Sequence, residues 1–70
     1  MIFTDKNGNE VKVGDKVRPD DGRDLEIISQ RYVEDIGEEC LFGQQVIDPM
    51  AFSLLTQENL SSQWTLIEEE

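Results

Sequence analysis

The sequence predicts an all-β domain, a small barrel of five or six short strands with one short helical turn before the last strand. Two observations favour this fold class. Turn signals such as Asn-Gly, Pro and Asp-Gly recur about every eight to twelve residues, and short apolar or alternating segments separate them. The 70 residues also suffice for only one hydrophobic core. We therefore expect a single barrel domain over residues 1–67, followed by an acidic frayed tail over residues 68–70.

The first predicted element is a β-hairpin formed by residues 2–4 and 10–13. Asn7-Gly8 between these segments supplies the positive φ angles that tight hairpin turns require. Val11 and Val13 alternate with charged residues, which predicts one apolar and one charged face.

Three further strands are predicted in the first two thirds of the chain. The first two cover residues 16–18 and 25–33, with a loop over residues 19–22 between them. Proline is excluded from central strands and Asp-Gly favours a turn, and both occur in that loop. A turn over residues 34–37 then leads to the third strand, over residues 38–47.

Side-chain alternation predicts the faces of the two longer strands. In the strand over residues 25–33 the apolar positions change face, with Leu25 and Ile27 on one side and Ile28 and Tyr32 on the other. Such a switch predicts a bulge or a strong bend. In the strand over residues 38–47 both faces carry apolar residues: Cys40, Phe42 and Val46 on one, Leu41 and Ile47 on the other.

Residues 48–56 are compatible with either a helix or a strand. Asp48-Pro49 is typical of a helix start, and apolar residues follow at helical spacing. The alternative is a strand over residues 51–55, with Phe52 and Leu54 on one face. We favour the strand because it extends the predicted sheet.

The end of the chain predicts a single helical turn over residues 56–60, capped by Thr56, and a last strand over residues 64–67. Trp64 on that strand is interpreted as a core anchor, although an exposed ring could stack on a ligand. Tyr32 and Phe3 are the aromatic residues for which we expect exposure.

The segment Val13-Gly14-Asp15-Lys16-Val17-Arg18 resembles the opening of KOW and other SH3-like barrel domains, in which a Gly-Asp-x-Val turn starts the first barrel strand. Residues 11–67, with Cys40-Leu41-Phe42, are also similar to small YodC-like bacterial proteins. The resemblance implies an SH3-like barrel, and for the KOW relatives it implies RNA binding. The spaced glycines of a KOW motif are replaced here by residues 23–28.

The charge of the chain is high and uneven. The net charge is −10, from 16 acids and six bases, and all six bases lie within residues 1–33. Residues 34–70 carry nine acids and no base. Contacts to nucleic-acid phosphates require clustered Lys and Arg, so this balance disfavours nucleic-acid binding without excluding a local basic patch.

The sequence lacks the residue arrangements that are typical of catalysis. Histidine is absent, which removes the commonest general base. Ser61-Ser62 have no activating base nearby, and Glu38 and Glu39 point to opposite faces of a strand. We therefore expect no enzymatic activity and no cofactor. Cys40, the single cysteine, is interpreted as a buried core residue whose pKa is raised by its acidic neighbours.

Two acidic segments resemble cation sites only superficially. Residues 5–10 begin like an EF-hand loop, but the sixth position is Glu10 rather than glycine and the twelfth is Lys16 rather than glutamate. A second acidic cluster is interpreted as a solvated loop neutralised by Arg18 and Arg23; its members are Asp20, Asp21, Asp24 and Glu26. No metal site is predicted.

By elimination we expect a protein-interaction or accessory module, including a prophage-encoded one, whose partner has a basic surface. The alternatives are RNA or other nucleic-acid binding through a local basic face, and an acidic nucleic-acid mimic that blocks a DNA-binding protein. The candidate interaction surface comprises Lys12, Lys16, Arg18, Arg23, Arg31 and Tyr32. No membrane-spanning segment or leader is predicted, so we expect a cytoplasmic protein with no membrane partner.

Overall fold

The computed structural model describes residues 2–67, which form seven β-strands and one α-helix. The strands are β1 (Phe3–Thr4), β2 (Glu10–Val11), β3 (Lys16–Pro19), β4 (Leu25–Val33), β5 (Glu38–Gln45), β6 (Phe52–Leu55) and β7 (Trp64–Ile67). The helix α1 (Gln57–Gln63) lies between β6 and β7. The predicted acidic tail, residues 68–70, lies outside the described residues.

The strands form two antiparallel sheets. The first contains only β1 and β2, and the second has the order β6-β5-β4-β3-β7. The last strand, β7, therefore returns to pair with β3, the first strand of the larger sheet. The predicted all-β class with one short helix before the last strand is confirmed, and β6 resolves residues 52–55 as a strand.

Strand β4 changes direction at a bulge. Ile27 pairs with Gly43 and Ser29 with Phe42, so Ile28 is an extra residue in the β4–β5 ladder. The predicted bulge is thus confirmed. The extra residue shifts the alternation of side chains, so the same alternate positions do not face inward along the whole of β4. The first part of β4 pairs with both β3 and β5, whereas the part after the bulge pairs with β5 alone.

The core receives at least one side chain from every strand and from the helix. Because strand side chains alternate, one face of the larger sheet and the short hairpin enclose these residues. The buried cluster consists of Phe3, Val11, Val17, Leu25, Ile27, Leu41, Leu55 and Leu60, with Trp64 and Leu66 packed against it. The interpretation of Trp64 as a core anchor is confirmed.

The β1–β2 hairpin is fastened to the rest of the molecule by two polar side chains. Gln57 of α1 accepts from the Thr4 N–H (2.9 Å) and donates from Nε2 to the Thr4 hydroxyl (2.9 Å). Asp5, only 2% exposed, accepts from the Leu66 N–H of β7 through Oδ2 (2.7 Å). Each of these bonds joins residues far apart in the sequence, and together they hold the hairpin in place over the core.

Two expectations about this hairpin are wrong. Phe3 was expected to be exposed but is 1% exposed, because the hairpin lies over the core. Val13 was expected to share the buried face of Val11 but is 54% exposed. Strand β2 ends at Val11, and Asp15 Oδ2 accepts from the Lys12 N–H (2.8 Å) in a turn that leads the chain away.

Two boundaries in the larger sheet also differ from expectation. Pro19 was placed in a loop, yet it ends β3 opposite Trp64. Its missing N–H faces the β4 side, where pairing stops at Val17–Leu25, so no sheet hydrogen bond is lost. Strand β5 ends at Gln45, so Val46 and Ile47 lie in the following turn rather than on its faces.

The helix is longer than the predicted single turn. The Thr56 hydroxyl caps it by accepting from the Asn59 N–H (3.1 Å), as predicted. The helix continues to Gln63 and buries Leu60 before the chain enters β7 directly. Within residues 2–67 no helix combines the length and the apolar character that crossing a bilayer requires.

Candidate interaction surface

Several of the predicted basic residues are held by neighbouring acids. The guanidinium of Arg18 donates two bonds to the Asp24 carboxylate, from Nε to Oδ1 (3.0 Å) and from Nη2 to Oδ2 (3.1 Å). These hydrogen bonds, and the charge of Asp24, raise the pKa of Arg18. The Lys12 ammonium lies 3.9 Å from a Glu10 carboxylate oxygen. Arg18 is therefore neutralised locally, as the sequence indicates for this loop.

The other predicted residues lie in separate places. Lys16 lies opposite Glu26 in the register of β3 and β4. Arg23 donates to the Gln45 side chain at 3.5 Å. Arg31 lies five residues beyond Glu26, roughly 16 Å away in an extended strand. Its guanidinium carbon is 5.7 Å from the centroid of the Phe42 ring.

Tyr32 follows Arg31 on β4 and therefore points to the opposite face of the sheet. It is 63% exposed, so the expected exposure of this ring is confirmed. The bases and Tyr32 thus occupy both faces and both ends of the β4 ladder, and the structure does not gather them into one patch.

A different surface stands out on the β5–β6 hairpin. Four large apolar side chains within residues 46–52 are exposed, from 45% to 85% of their area. They are Val46, Ile47, Met50 and Phe52. Their neighbours Phe42 and Leu54 are half-buried on the outer face of the sheet, where the β5–β6 register places them opposite each other. We call these six residues the apolar hairpin surface.

Hydrogen bonds define the shape of the loop that carries this surface. The Gln45 N–H donates to Ala51 O (2.9 Å), and the Ala51 N–H donates to Asp48 O (3.0 Å). The Asp48 side chain accepts from the Met50 N–H (3.2 Å). The Val46 N–H reaches Asp24 O (3.1 Å) and so joins the loop to the segment after β3. The apolar side chains therefore project from a hydrogen-bonded turn.

The charge pattern around the apolar hairpin surface is unusual for this chain. Residues 40–57 contain a single charged residue, Asp48, although 31% of the whole chain is charged. Charges beside this stretch are of both signs. Arg23 donates to the Gln45 side chain (3.5 Å), and the Arg31 guanidinium lies 5.7 Å from the centroid of the Phe42 ring. The acids of residues 34–39 lie at the far end of the β4–β5 hairpin. The apolar side chains therefore lie on a weakly charged part of a chain whose net charge is −10.

The remaining candidates behave as ordinary structural groups. Cys40 is fully buried, and burial followed by the charge of Glu38 raises its pKa, as predicted. The Ser61 and Ser62 hydroxyls donate to helix carbonyls at 3.2 and 3.1 Å. In the described part of the chain, no group of three or more acids or cysteines is placed to hold a metal ion.

An open cleft of about 290 Å³ lies between the turn after β2 and the end of the larger sheet formed by Lys16, Glu26 and Ile67. Its walls include Asp15, Lys16, Glu26 and Ile67, so acid and base face each other across it. A cleft of mixed charge, with its one base beside an acid, has no arrangement that selects a ligand.

Comparisons of the chain with protein-family models, with curated proteins and with solved structures gave no match.

Proposed function

We propose that the protein is a non-catalytic interaction module that binds another protein through the apolar hairpin surface. The observation that carries this proposal is the exposure of Val46, Ile47, Met50 and Phe52 on the least charged stretch of the chain. Isolated apolar residues on a surface are normal, but four exposed large apolar side chains within seven consecutive residues are a cluster of the kind that marks docking sites.

The net charge of −10 indicates the chemistry of the partner. Protein interfaces commonly have an apolar centre and a polar rim, and complementary charge increases the rate and specificity of association. The partner should therefore present an apolar patch on a positively charged surface. Because the charges that attract it are exposed, binding should weaken as salt screens them.

The same proposal includes an SH3-like barrel fold over residues 1–67 and a cytoplasmic location. Support for the barrel comes from the return of β7 to β3 and from the bend of β4 at Ile28, which lets one strand serve two parts of a curved sheet. The location is supported by the free, fully buried thiol of Cys40, which is typical of a reducing compartment.

The nucleic-acid alternatives have less support. Binding of RNA requires basic side chains free to meet phosphates, whereas Arg18 is engaged by Asp24 and Arg31 lies over Phe42. Mimicry of nucleic acid requires an ordered row of acids, and it leaves the exposed apolar side chains without a role.

The proposal is tested by affinity capture from a lysate of the source organism with three baits. These are the wild-type protein, the double variant Ile47→Ser/Met50→Ser, and Val13→Ser as a matched control, since Val13 is an exposed apolar residue outside the hairpin. We expect one protein to be captured by the wild type and by Val13→Ser, and to be lost from the double variant and at high salt.

Capture that is equal on all three baits would overturn the proposal. If RNA is recovered and survives the double substitution, a fourth bait, Arg31→Ala, is added; loss of the RNA from that bait would favour the basic-face alternative. Circular dichroism of each bait before capture establishes that the substitutions leave the fold intact.

A further inference from the structure

Strand β6 is an edge of the larger sheet, and its backbone is paired on one side only within residues 2–67. Ala51 O accepts from the Gln45 N–H (2.9 Å), and the same register places Ser53 opposite Gly43 and Leu55 opposite Leu41. In an antiparallel ladder, hydrogen-bonded and non-hydrogen-bonded pairs alternate. The N–H and C=O groups of Phe52 and Leu54 therefore point away from β5, toward the open edge.

Apart from its shortness, four residues, this edge lacks the features that usually prevent strand pairing. Natural edge strands are protected by charged side chains, by proline within the strand or by bulges. Residues 49–57 contain no charge, β6 contains no proline, and its ladder with β5 has no register shift. The side chains that border the edge on the outer face, Phe52 and Leu54, are apolar.

Resting on the proposed function, we propose that an extended segment of the partner protein adds to β6 as a sixth strand of the larger sheet. The N–H and C=O groups of Phe52 and Leu54 would bond its backbone, and alternate apolar side chains of the segment would pack beside these two residues. Lys or Arg next to those apolar positions would complement the net charge of −10.

Charge distinguishes such a partner from a second copy of this chain. Each copy carries a net charge of −10, so two copies joined at this edge would repel each other over the whole molecule. A segment that alternates apolar and basic residues complements both the apolar side chains along the edge and the negative charge of the molecule.

The test begins with a bead-displayed library of random ten-residue peptides, screened against the protein at about 0.15 M salt. We expect the selected peptides to alternate apolar residues with Lys or Arg. Binding of a selected peptide should slow hydrogen exchange of the Phe52 and Leu54 amides, which face the edge. The Ser53 amide faces β5 and serves as the internal reference.

A matched pair of variants isolates the backbone bond. Phe52→Ala removes the ring and keeps the N–H, whereas Phe52→Pro removes the ring and the N–H without breaking a bond to β5. We expect the proline variant to bind the selected peptide about tenfold more weakly than the alanine variant, the effect of one lost hydrogen bond.

Several outcomes would overturn strand addition. A library without binders would do so, and so would peptides with apolar residues at helical spacing or unchanged exchange of the Phe52 and Leu54 amides. A concentration-dependent dimer with protected edge amides would mean that a second copy is the occupant. Equal affinity of the Phe52 variants, with binding still lost in Ile47→Ser/Met50→Ser, would remove strand addition and leave the proposed function standing.

Discussion

At the scale of single residues, Asp5 links the two ends of the described chain. Its carboxylate is buried yet accepts four hydrogen bonds, from the Asn7 N–H (2.9 Å), the Asn9 N–H (2.8 Å), the Asn9 side-chain amide (3.3 Å) and the Leu66 N–H (2.7 Å). Burial alone would raise the pKa of Asp5, but the hydrogen bonds from Leu66 and the two asparagines outweigh it and lower the pKa. The ionised form is therefore the one that stabilises the fold.

Replacing Asp5 by Ala should lower the free energy of unfolding by about 3 kcal/mol, because buried N–H donors lose a charged acceptor. Asp5→Asn keeps one acceptor oxygen and should lose about half as much. Urea unfolding followed by Trp64 fluorescence measures both variants. A loss below about 0.5 kcal/mol, which is the scatter of surface substitutions, would contradict this role for Asp5.

The stabilisation by Asp5 should depend on pH in one direction. An unfolded aspartate has a pKa of about 3.9, and the folded pKa is lower, so the contribution is complete above the unfolded value. It is lost as the pH falls through the folded pKa, where the carboxylate becomes protonated in both states. The difference in unfolding free energy between the wild type and Asp5→Asn should thus shrink below about pH 4. A difference that stays constant down to pH 2.5 would contradict the lowered pKa.

The sequence predicts the turn around Asp5 but not its most distant bond. Asn7-Gly8 is a local signal, since φ of Gly8 is positive at 82°, and a hairpin turn follows from it. The Leu66 N–H lies 61 residues away in sequence, and no local pattern indicates that it meets the Asp5 carboxylate. The wrong expectation of an exposed Phe3 has the same origin, because its burial depends on that distant contact.

At the scale of elements, the sequence was sufficient to predict the end of a strand or helix wherever a local turn or cap determines it. The bounds of β4, its bulge at Ile28 and the Thr56 cap all follow from patterns within a few residues. The exit of the chain after Val11 and the pairing of Pro19 depend on neighbouring strands instead. Pairing partners are tertiary information, so alternation extended β2 too far, and the exclusion of proline from central strands ended β3 too early.

Gly43 shows how closely two strands approach in the core. A Cβ atom at this position would lie 3.1 Å from the Leu25 Cβ and 3.2 Å from the Leu25 Cδ1. Gly43→Ala should therefore destabilise the protein by about 1–3 kcal/mol through overpacking. Gln44→Ala, one residue along β5 and on the outer face, is the matched control and should change stability little. Equal unfolding midpoints for the two variants in urea would contradict the close approach.

At the scale of the whole molecule, the net charge of −10 acts across a body only 33 Å long. Raising NaCl from 0.01 M to 0.15 M shortens the screening length from about 30 Å to about 8 Å. Self-repulsion should weaken and the melting temperature should rise, since exposed pairs such as Arg18–Asp24 contribute little that salt can remove. Thermal unfolding by circular dichroism measures this. Near pH 4.1, the isoelectric point of the sequence, the melting temperature should not depend on salt. A melting temperature that falls with salt at pH 7 would contradict the prediction.

The proposed interaction surface was harder to predict from the sequence than the strands. Charged residues drew attention to Lys12, Lys16, Arg18, Arg23 and Arg31, but the fold distributes them among acids and aromatic neighbours. Val46 and Ile47 were predicted to lie on the faces of β5, because an apolar residue alone does not indicate whether a strand continues. The low charge of residues 40–57 is the signal that indicates the hairpin, once compared with the rest of the chain.

The bond between Asp5 and Leu66 also has a consequence for the order of folding. The β4–β5 hairpin closes through a turn of four residues, whereas the Asp5–Leu66 bond closes a loop of 61 residues, and the entropy lost on closure grows with loop length. We expect the rate-limiting barrier to contain the β4–β5 hairpin but not the Asp5 contacts. Gly43→Ala should then mainly slow folding and Asp5→Asn mainly accelerate unfolding, which stopped-flow fluorescence of Trp64 would distinguish.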